Sequence, residues 1–250
     1  MKLAVIGDPV EHSRSPEIHR QFLREAEIDG SYVAIRVPKT NAISVIRRMR
    51  MDEYIGANVT YPLKEEAMHA CDVITEEARR AQAVNTLFFG REILGHNTDG
   101  IGARIALETV LEESIALKRI GILGYGSTAR AILWQLQEND AYTFVWGRDE
   151  EKVIGVCERF DAQPFPYDNP PEIVISTLPP KVRFEPPLLD ALMRADLVMD
   201  ANYGARSTLH HQLEREVLTG DAMLEAQAQA SFDFWLAHAE TLNSEHLSEL

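Results

Sequence analysis

Ile120-Gly121-Ile122-Leu123-Gly124-Tyr125-Gly126-Ser127-Thr128-Ala129 is the stretch that decides the fold. An apolar run passes into Gly-x-Gly-x-x-Ala and then into a helical pattern over 127–137. That is the context of a dinucleotide fingerprint, because the glycines let backbone amides at the helix start approach a pyrophosphate. Gly-x-Gly turns also occur where a strand merely bends tightly into a helix, so the next strand must be read with it. It covers Thr143–Trp146 and ends in Gly147-Arg148-Asp149, roughly 20 residues past the turn, where a ribose-reading residue is expected. An arginine there suits a 2′-phosphate, since its fork binds phosphate through paired hydrogen bonds; an acidic residue would favour the free hydroxyl of NAD. Gly124, Gly126, Ser127, Thr128, Ala129 and Arg148 are therefore candidate cofactor residues, with NADP expected and NAD the alternative. The competing reading of Arg148 is a solvated helix-start residue, and the carboxylate of Asp149 beside it would repel a phosphate.

Outward from this stretch, strand and helix patterns alternate. Downstream come a helix over Glu150–Arg159, strands over Glu172–Ser176 and Asp196–Asp200, and a helical pattern from Ala222 onward with Met223, Gln227 and Phe232 at inward-facing spacings. Upstream, Ile101–Leu111 reads as a helix, preceded by strand Leu3–Ile6, helix Pro16–Glu27, strand Ser31–Arg36 and helix Asn41–Met51. Alternation of this kind implies parallel sheets. Pro16 suits a first helical turn, and Ser15 before it reads as a cap. The expected architecture is α/β with two domains. Residues 1–101, completed by C-terminal helices 222–250, form an N-terminal α/β substrate domain, and 102–221 form a Rossmann-like, doubly wound parallel-sheet nucleotide domain.

Composition narrows the class. With 25 Lys and Arg against 39 Asp and Glu, the formal charge of -14 and the absence of a basic run argue against nucleic acid or an anionic membrane as partner. Cys71 and Cys157 are far apart in sequence and read as buried, reduced thiols. His210-His211 has no carboxylate or thiol at ligand spacing, so no metal site is expected. No apolar segment approaches the roughly 20 residues of a membrane helix. The run Met1–Ile6 meets Asp8 and Pro9 before a signal-peptide core develops, so a cytoplasmic protein is expected.

Polar clusters precede the glycine turn: Ser13-Arg14-Ser15-Pro16, Asn58-Val59-Thr60-Tyr61-Pro62-Leu63-Lys64, Ala83-Val84-Asn85-Thr86 and Asn97-Thr98-Asp99-Gly100. Short apolar runs flank them, so they are expected to gather where strands end, the place where open α/β sheets bind ligands. These residues resemble the shikimate dehydrogenase family. Gly7 to His19 is similar to its Gly-x-Pro-x-x-His-Ser-x-Ser-Pro-x-x-His opening and Gly56 to Lys64 to its Gly-x-Asn-Val-Thr-x-Pro-x-Lys segment. Ala83 to Thr86, Asn97 to Gly102, and Met223 to Ala228 with Phe232 and Trp235 follow in the family's order.

The resemblance implies reversible hydride transfer between 3-dehydroshikimate and shikimate with NADPH, in the chorismate route to aromatic amino acids, at a cleft between the domains. It carries a catalytic pair onto Lys64, which moves the hydroxyl proton, and Asp99, which orients it. On the residues alone, Lys64 reads equally as a surface lysine and Asp99 as a cap for the helix beginning near Ile101. The resemblance assigns Ser13 and Ser15 to the substrate carboxylate, Thr60, Asn85 and Gln227 to ring hydroxyls, Tyr203 to the substrate mouth and Gly220 to the cofactor border. Ser, Thr and Asn also favour turns and caps, and packing under its loop is the other reading of Tyr203. His12 and His19 read as structural hydrogen-bonders. The expected partner is a small molecule, with monomer and homodimer both open. Departures from the family pattern are Ser127, Gly147, Asp149, Gly204-Ala205, and Ile175-Ser176-Thr177-Leu178-Pro179-Pro180 in place of Asn-Ala-Thr-Pro-x-Gly-Met. A quinate-type paralogue using NAD or NADP is the nearest alternative. A catalytically silent nucleotide-binding regulator is the alternative from another class, and retention of Lys64 and Asp99 speaks against it.

Overall fold

The computed structural model describes residues 1–180 and 182–248, with side chains described to residue 240; positions 249 and 250 of the expected C-terminal helices lie outside the described residues. The chain falls into two compact units, Met1–Thr98 with Gln227–Leu250, and Asp99–Ala226. No helix among the described residues is long and apolar enough to cross a membrane.

The first unit runs β1 (Lys2–Gly7), α1 (Ser15–Glu25), β2 (Ser31–Arg36), α2 (Ala42–Met51), β3 (Gly56–Val59), α3 (Lys64–Met68), β4 (Val73–Ile74), α4 (Glu76–Ala81), β5 (Thr86–Phe89) and β6 (Ile93–His96). Among the described residues its six strands are ordered β2-β1-β3-β5-β6-β4. The alternation in the sequence predicts a parallel sheet, and β1, β2 and β3 are parallel. The correction is β5, which runs antiparallel to both β3 and β6. The tight turn at 90–92, where the Gly90 amide donates to the Glu92 carbonyl at 3.1 Å, folds β6 back on β5 as a hairpin.

This antiparallel strand keeps the polar clusters together. The pairings Ile6↔Val59, Asn58↔Thr86 and Thr86↔His96 put the ends of β1, β3 and β6 and the start of β5 at one edge of the sheet. One face of the sheet buries Ala4, Ile6, Ala57, Val59 and Leu87 beneath α2 and α3. The other buries Leu3, Val5 and Phe88 with Tyr32, Phe232 and Trp235. The Trp235 indole donates to the Leu87 carbonyl at 2.8 Å, and a Cβ at Gly56 would stand 2.3 Å from that indole nitrogen. Gly56→Ala should therefore displace Trp235 and lower stability by about 1–3 kcal/mol, read as a reduced urea midpoint with an unchanged slope.

The second unit continues with α5 (Asp99–Leu111), β7 (Arg119–Leu123), α6 (Ser127–Gln137), β8 (Tyr142–Trp146), α7 (Glu150–Arg159), β9 (Gln163–Pro164), β10 (Ile173–Ser176), α8 (Pro186–Arg194), β11 (Leu197–Asp200), α9 (His210–Leu213), β12 (Leu218–Thr219) and the start of α10 (Asp221–Ser248). All pairings in its sheet are parallel, in the order β9-β8-β7-β10-β11-β12. Period-two alternation makes both faces apolar. Ile120, Ile122, Val145, Ile175 and Met199 pack under α6 and α7, while Leu123, Phe144, Val174 and Val198 pack under α8. The direction of winding reverses between β7 and β10, the switch point at which doubly wound sheets bind ligands.

Candidate active site

At that switch point β7 is followed by Gly124, whose φ of +117° is a conformation side chains resist. A Cβ on Gly124 would lie 2.5 Å from Thr177 Oγ1, at the end of β10. Thr177 Oγ1 in turn donates to the Leu123 carbonyl at 2.9 Å. The departed 175–180 segment is thus tied to the glycine turn through Thr177. Gly126 is the N-cap of α6, exposed, and a Cβ there would meet nothing within 4 Å, so the helix start opens to solvent. Ser127 and Thr128 begin the helix half-buried, and Ala129 is buried against β7. The open turn at the amino end of an 11-residue helix fits a pyrophosphate. Arg130, which the fingerprint does not single out, donates to the Tyr125 carbonyl at 3.2 Å and braces the turn from within α6.

Arg148 follows β8 and is exposed. Asp149 is the N-cap of α7, accepting from the Lys152 amide at 3.2 Å and pairing with Lys152 Nζ at 3.2 Å. The Lys152 amide, and then its ammonium, hold the Asp149 carboxyl below its usual range. The negative charge expected to repel a phosphate at Arg148 is engaged by a helix start and a cation. Gly220, expected at the cofactor border, shows a packing role: a Cβ would lie 2.4 Å from the Ala201 carbonyl, and its amide donates to Asn202.

Asp99 is the first residue of α5, buried, so the helix starts there and not near Ile101 as expected. Its Oδ2 accepts from Thr128 Oγ1 at 3.2 Å, linking the expected catalytic carboxylate to the first turn of α6. The two helices meet closely because residue 100 is glycine; a Cβ there would lie 2.3 Å from the Ala131 carbonyl. Tyr203 is half-buried on the segment leaving β11.

In the first unit the structure joins several expected substrate residues through buried and part-buried hydrogen bonds. Asn85 Nδ2 donates to Thr98 Oγ1 at 3.1 Å, and Thr98 Oγ1 reaches Gln227 Oε1 at 3.3 Å. The Thr98 amide donates to Asn85 Oδ1 at 2.9 Å, fixing that side chain's orientation. Lys64 begins α3, and its carbonyl accepts from the Val84 amide at 2.8 Å, which ties the lysine's turn to the strand entry carrying Asn85. Thr60 is held by its amide donating to the Ile6 carbonyl at 2.9 Å, with Gly7 alongside; a Cβ on Gly7 would stand 2.4 Å from Thr60 Cγ2.

Ser15 is not a cap, contrary to expectation. The N-cap position is Arg14, which makes no side-chain capping bond; Ser15 is the first helical residue, buried, and its amide donates to Ser13 Oγ at 3.3 Å. Ser13 therefore takes the part expected of Ser15. His19 is also not a hydrogen-bonder. It is fully buried, stacked on Tyr32 with ring centroids 4.5 Å apart, and neither ring nitrogen makes a hydrogen bond. His12 is exposed. Cys157 is buried as expected, whereas Cys71 is only half-buried; burial still pushes its thiol up to about 12.

A glycine turn at the switch point of a doubly wound sheet, in a chain that also assembles a set of buried hydroxyls and amides, defines an α/β protein of the nucleotide-binding class with a polar site. Residues 5–87 match the model of the shikimate dehydrogenase substrate binding domain. A shikimate dehydrogenase (NADP(+)) of Herminiimonas arsenicoxydans is 34% identical over 249 residues, covering 94% of this chain and 91% of the relative. The crystal structure of shikimate 5-dehydrogenase from Thermus thermophilus in complex with NADP(H) and shikimate is similar at 27% identity and a TM-score of 0.83, over 94% of this chain and 93% of that one. An Ael1 enzyme from Pseudomonas putida is similar at 26% identity and a TM-score of 0.86, over 97% of each chain. The chain belongs to the shikimate dehydrogenase family.

Proposed function

We propose that this enzyme interconverts 3-dehydroshikimate and shikimate with NADP, running reductively in cytoplasmic aromatic amino-acid biosynthesis. The observation that carries this reading is the buried hydroxyl and amide cluster around Asn85, Thr98 and Gln227, at the edge of the sheet where Lys64 and Thr60 also stand. A substrate bearing one carboxylate and several ring hydroxyls needs such a set, because each buried polar group must find a partner. Relatives named shikimate dehydrogenase (NADP(+)) support the same assignment.

On this reading residues 1–101 with 222–250 are the substrate and catalytic domain and 102–221 the nucleotide domain. Ser13 and Ser15 bind the carboxylate at the start of α1. Thr60, Asn85 and Gln227 bind ring hydroxyls, and Tyr203 is a further substrate residue. Lys64 takes the proton of the reacting hydroxyl during oxidation and returns it during reduction, with Asp99 as the carboxylate of the pair. NADP, when bound, accepts or supplies the hydride. Gly124, Gly126, Ser127, Thr128 and Ala129 would hold its pyrophosphate, Arg148 its 2′-phosphate, and Gly220 shapes the neighbouring backbone.

Initial rates with shikimate and quinate crossed against NADP and NAD test the assignment. Shikimate with NADP should give the highest kcat/KM; a preference for quinate or NAD would move the enzyme to a paralogous activity. In the same assay Arg148→Ala should raise KM for NADP roughly 10- to 100-fold, the loss of a charge-assisted phosphate contact, while leaving KM for NAD nearly unchanged. An equal rise for both cofactors would remove Arg148 from phosphate recognition.

A further inference from the structure

We infer that Ser231 is a positioning residue for the substrate-binding amide of Gln227, an inference that rests on the substrate role proposed for that residue. Ser231 lies on α10 one helical turn beyond Gln227 and has no accessible surface. Its hydroxyl donates to the Gln227 carbonyl at 2.9 Å. It accepts from Asn58 Nδ2 at 3.0 Å and lies 2.8 Å from Thr86 Oγ1 and 3.2 Å from Thr98 Oγ1.

The proton count gives these contacts a direction. A serine hydroxyl has one proton and two acceptor lone pairs. With its proton on the Gln227 carbonyl, Ser231 can only accept from its other neighbours. Thr98 also has one hydroxyl proton, and three acceptors stand around it: Ser231 Oγ at 3.2 Å, Gln227 Oε1 at 3.3 Å and Asn85 Oδ1 at 3.3 Å. When Asn58 and Thr86 fill the acceptor sites of Ser231, the Thr98 proton is directed to Gln227 or Asn85. Thr86 faces the same choice, with Asn85 Oδ1 at 2.9 Å. The hydroxyl at 231 thus biases whether the Thr98 proton holds Gln227 Oε1 from behind, and so which way the Gln227 amide turns, while Asn85 stays oriented by the Thr98 amide. Asn58 extends the set, since its Oδ1 accepts from the buried Tyr32 hydroxyl at 2.7 Å.

Ser231→Ala removes the hydroxyl without adding volume. The expected result is a KM for shikimate raised about 10-fold, near the worth of one well-placed hydrogen bond, with kcat and KM for NADP close to wild type. In a Gln227→Ala background the same substitution should raise KM by clearly less, because the residue acts through that amide. An unchanged KM accompanied by a lowered melting temperature would make Ser231 merely structural and overturn the inference, as would equal changes in KM for both substrates. If the wild type oxidises quinate and not shikimate, the proposed substrate is wrong, and the same KM shift measured with quinate decides the role of Ser231. If it oxidises neither, the crystal structure of Ser231→Ala decides: a reoriented Gln227 amide supports the inference, and an unmoved one overturns it.

Discussion

Lys64→Ala should lower kcat for shikimate oxidation by about 100- to 10,000-fold, with KM for shikimate changing far less. Removing the hydroxyl proton is required only as the transition state is approached, so its loss falls on kcat. The backbone at Lys64 is held independently of its side chain. Leu63, fully buried, anchors the turn before it, and the Val84 amide clamps the Lys64 carbonyl. Because those contacts use backbone and neighbouring side chains, the alanine variant should keep its fold, and an unchanged circular dichroism melt would show it. A loss confined to KM would make Lys64 a binding group and return proton transfer to another residue.

The second large effect is acid destabilisation through His19. Its burial among Tyr32, Phe22, Phe232 and Trp235 pushes its pKa down to about 3 from 6.5. The unfolded state therefore binds a proton below about pH 6.5 that the folded state refuses until about pH 3. Stability carried by the neutral imidazole is complete above pH 6.5 and is lost as pH falls through that window. The loss is on the order of 2 kcal/mol by pH 5 and about 4 kcal/mol by pH 3. His19→Phe keeps a flat ring against Tyr32 and sacrifices no hydrogen bond, so its urea midpoint should fall less steeply between pH 6.5 and 4 than that of the wild type. Parallel pH profiles for the two proteins would refute the assignment.

Much of this was legible in the chain because local chemistry matched the fold. Gly124 reads as a tight turn from its neighbours, and α6 begins at Ser127 and ends at Gln137 where its apolar spacing places it. That Thr60, Lys64 and Asn85 lie near strand ends was legible because their clusters follow short apolar runs, a short-range feature, whereas their proposed roles come from the family resemblance. The hairpin at 90–92 was missed because Phe88-Phe89-Gly90-Arg91-Glu92-Ile93 lacks the Asn-Gly or Asp-Gly pair that marks a two-residue turn. Ser231 was out of reach for a different reason. Its partners Asn58 and Thr86 lie 173 and 145 residues away, and only its one-turn offset from Gln227 hints that it shares a face. His19 misled because a histidine in a polar motif suggests hydrogen bonding, whereas the aromatic side chains that enclose it come from α1, β2 and α10 and leave its nitrogens no partner.

The most direct measurement is consumption of NADPH by the purified protein on addition of 3-dehydroshikimate, with the product identified by chromatography against authentic shikimate. Stoichiometric conversion to shikimate, faster with NADPH than with NADH, is the predicted result. Tight binding of NADPH with no consumption on addition of 3-dehydroshikimate would contradict the account and leave a nucleotide-binding protein without this activity.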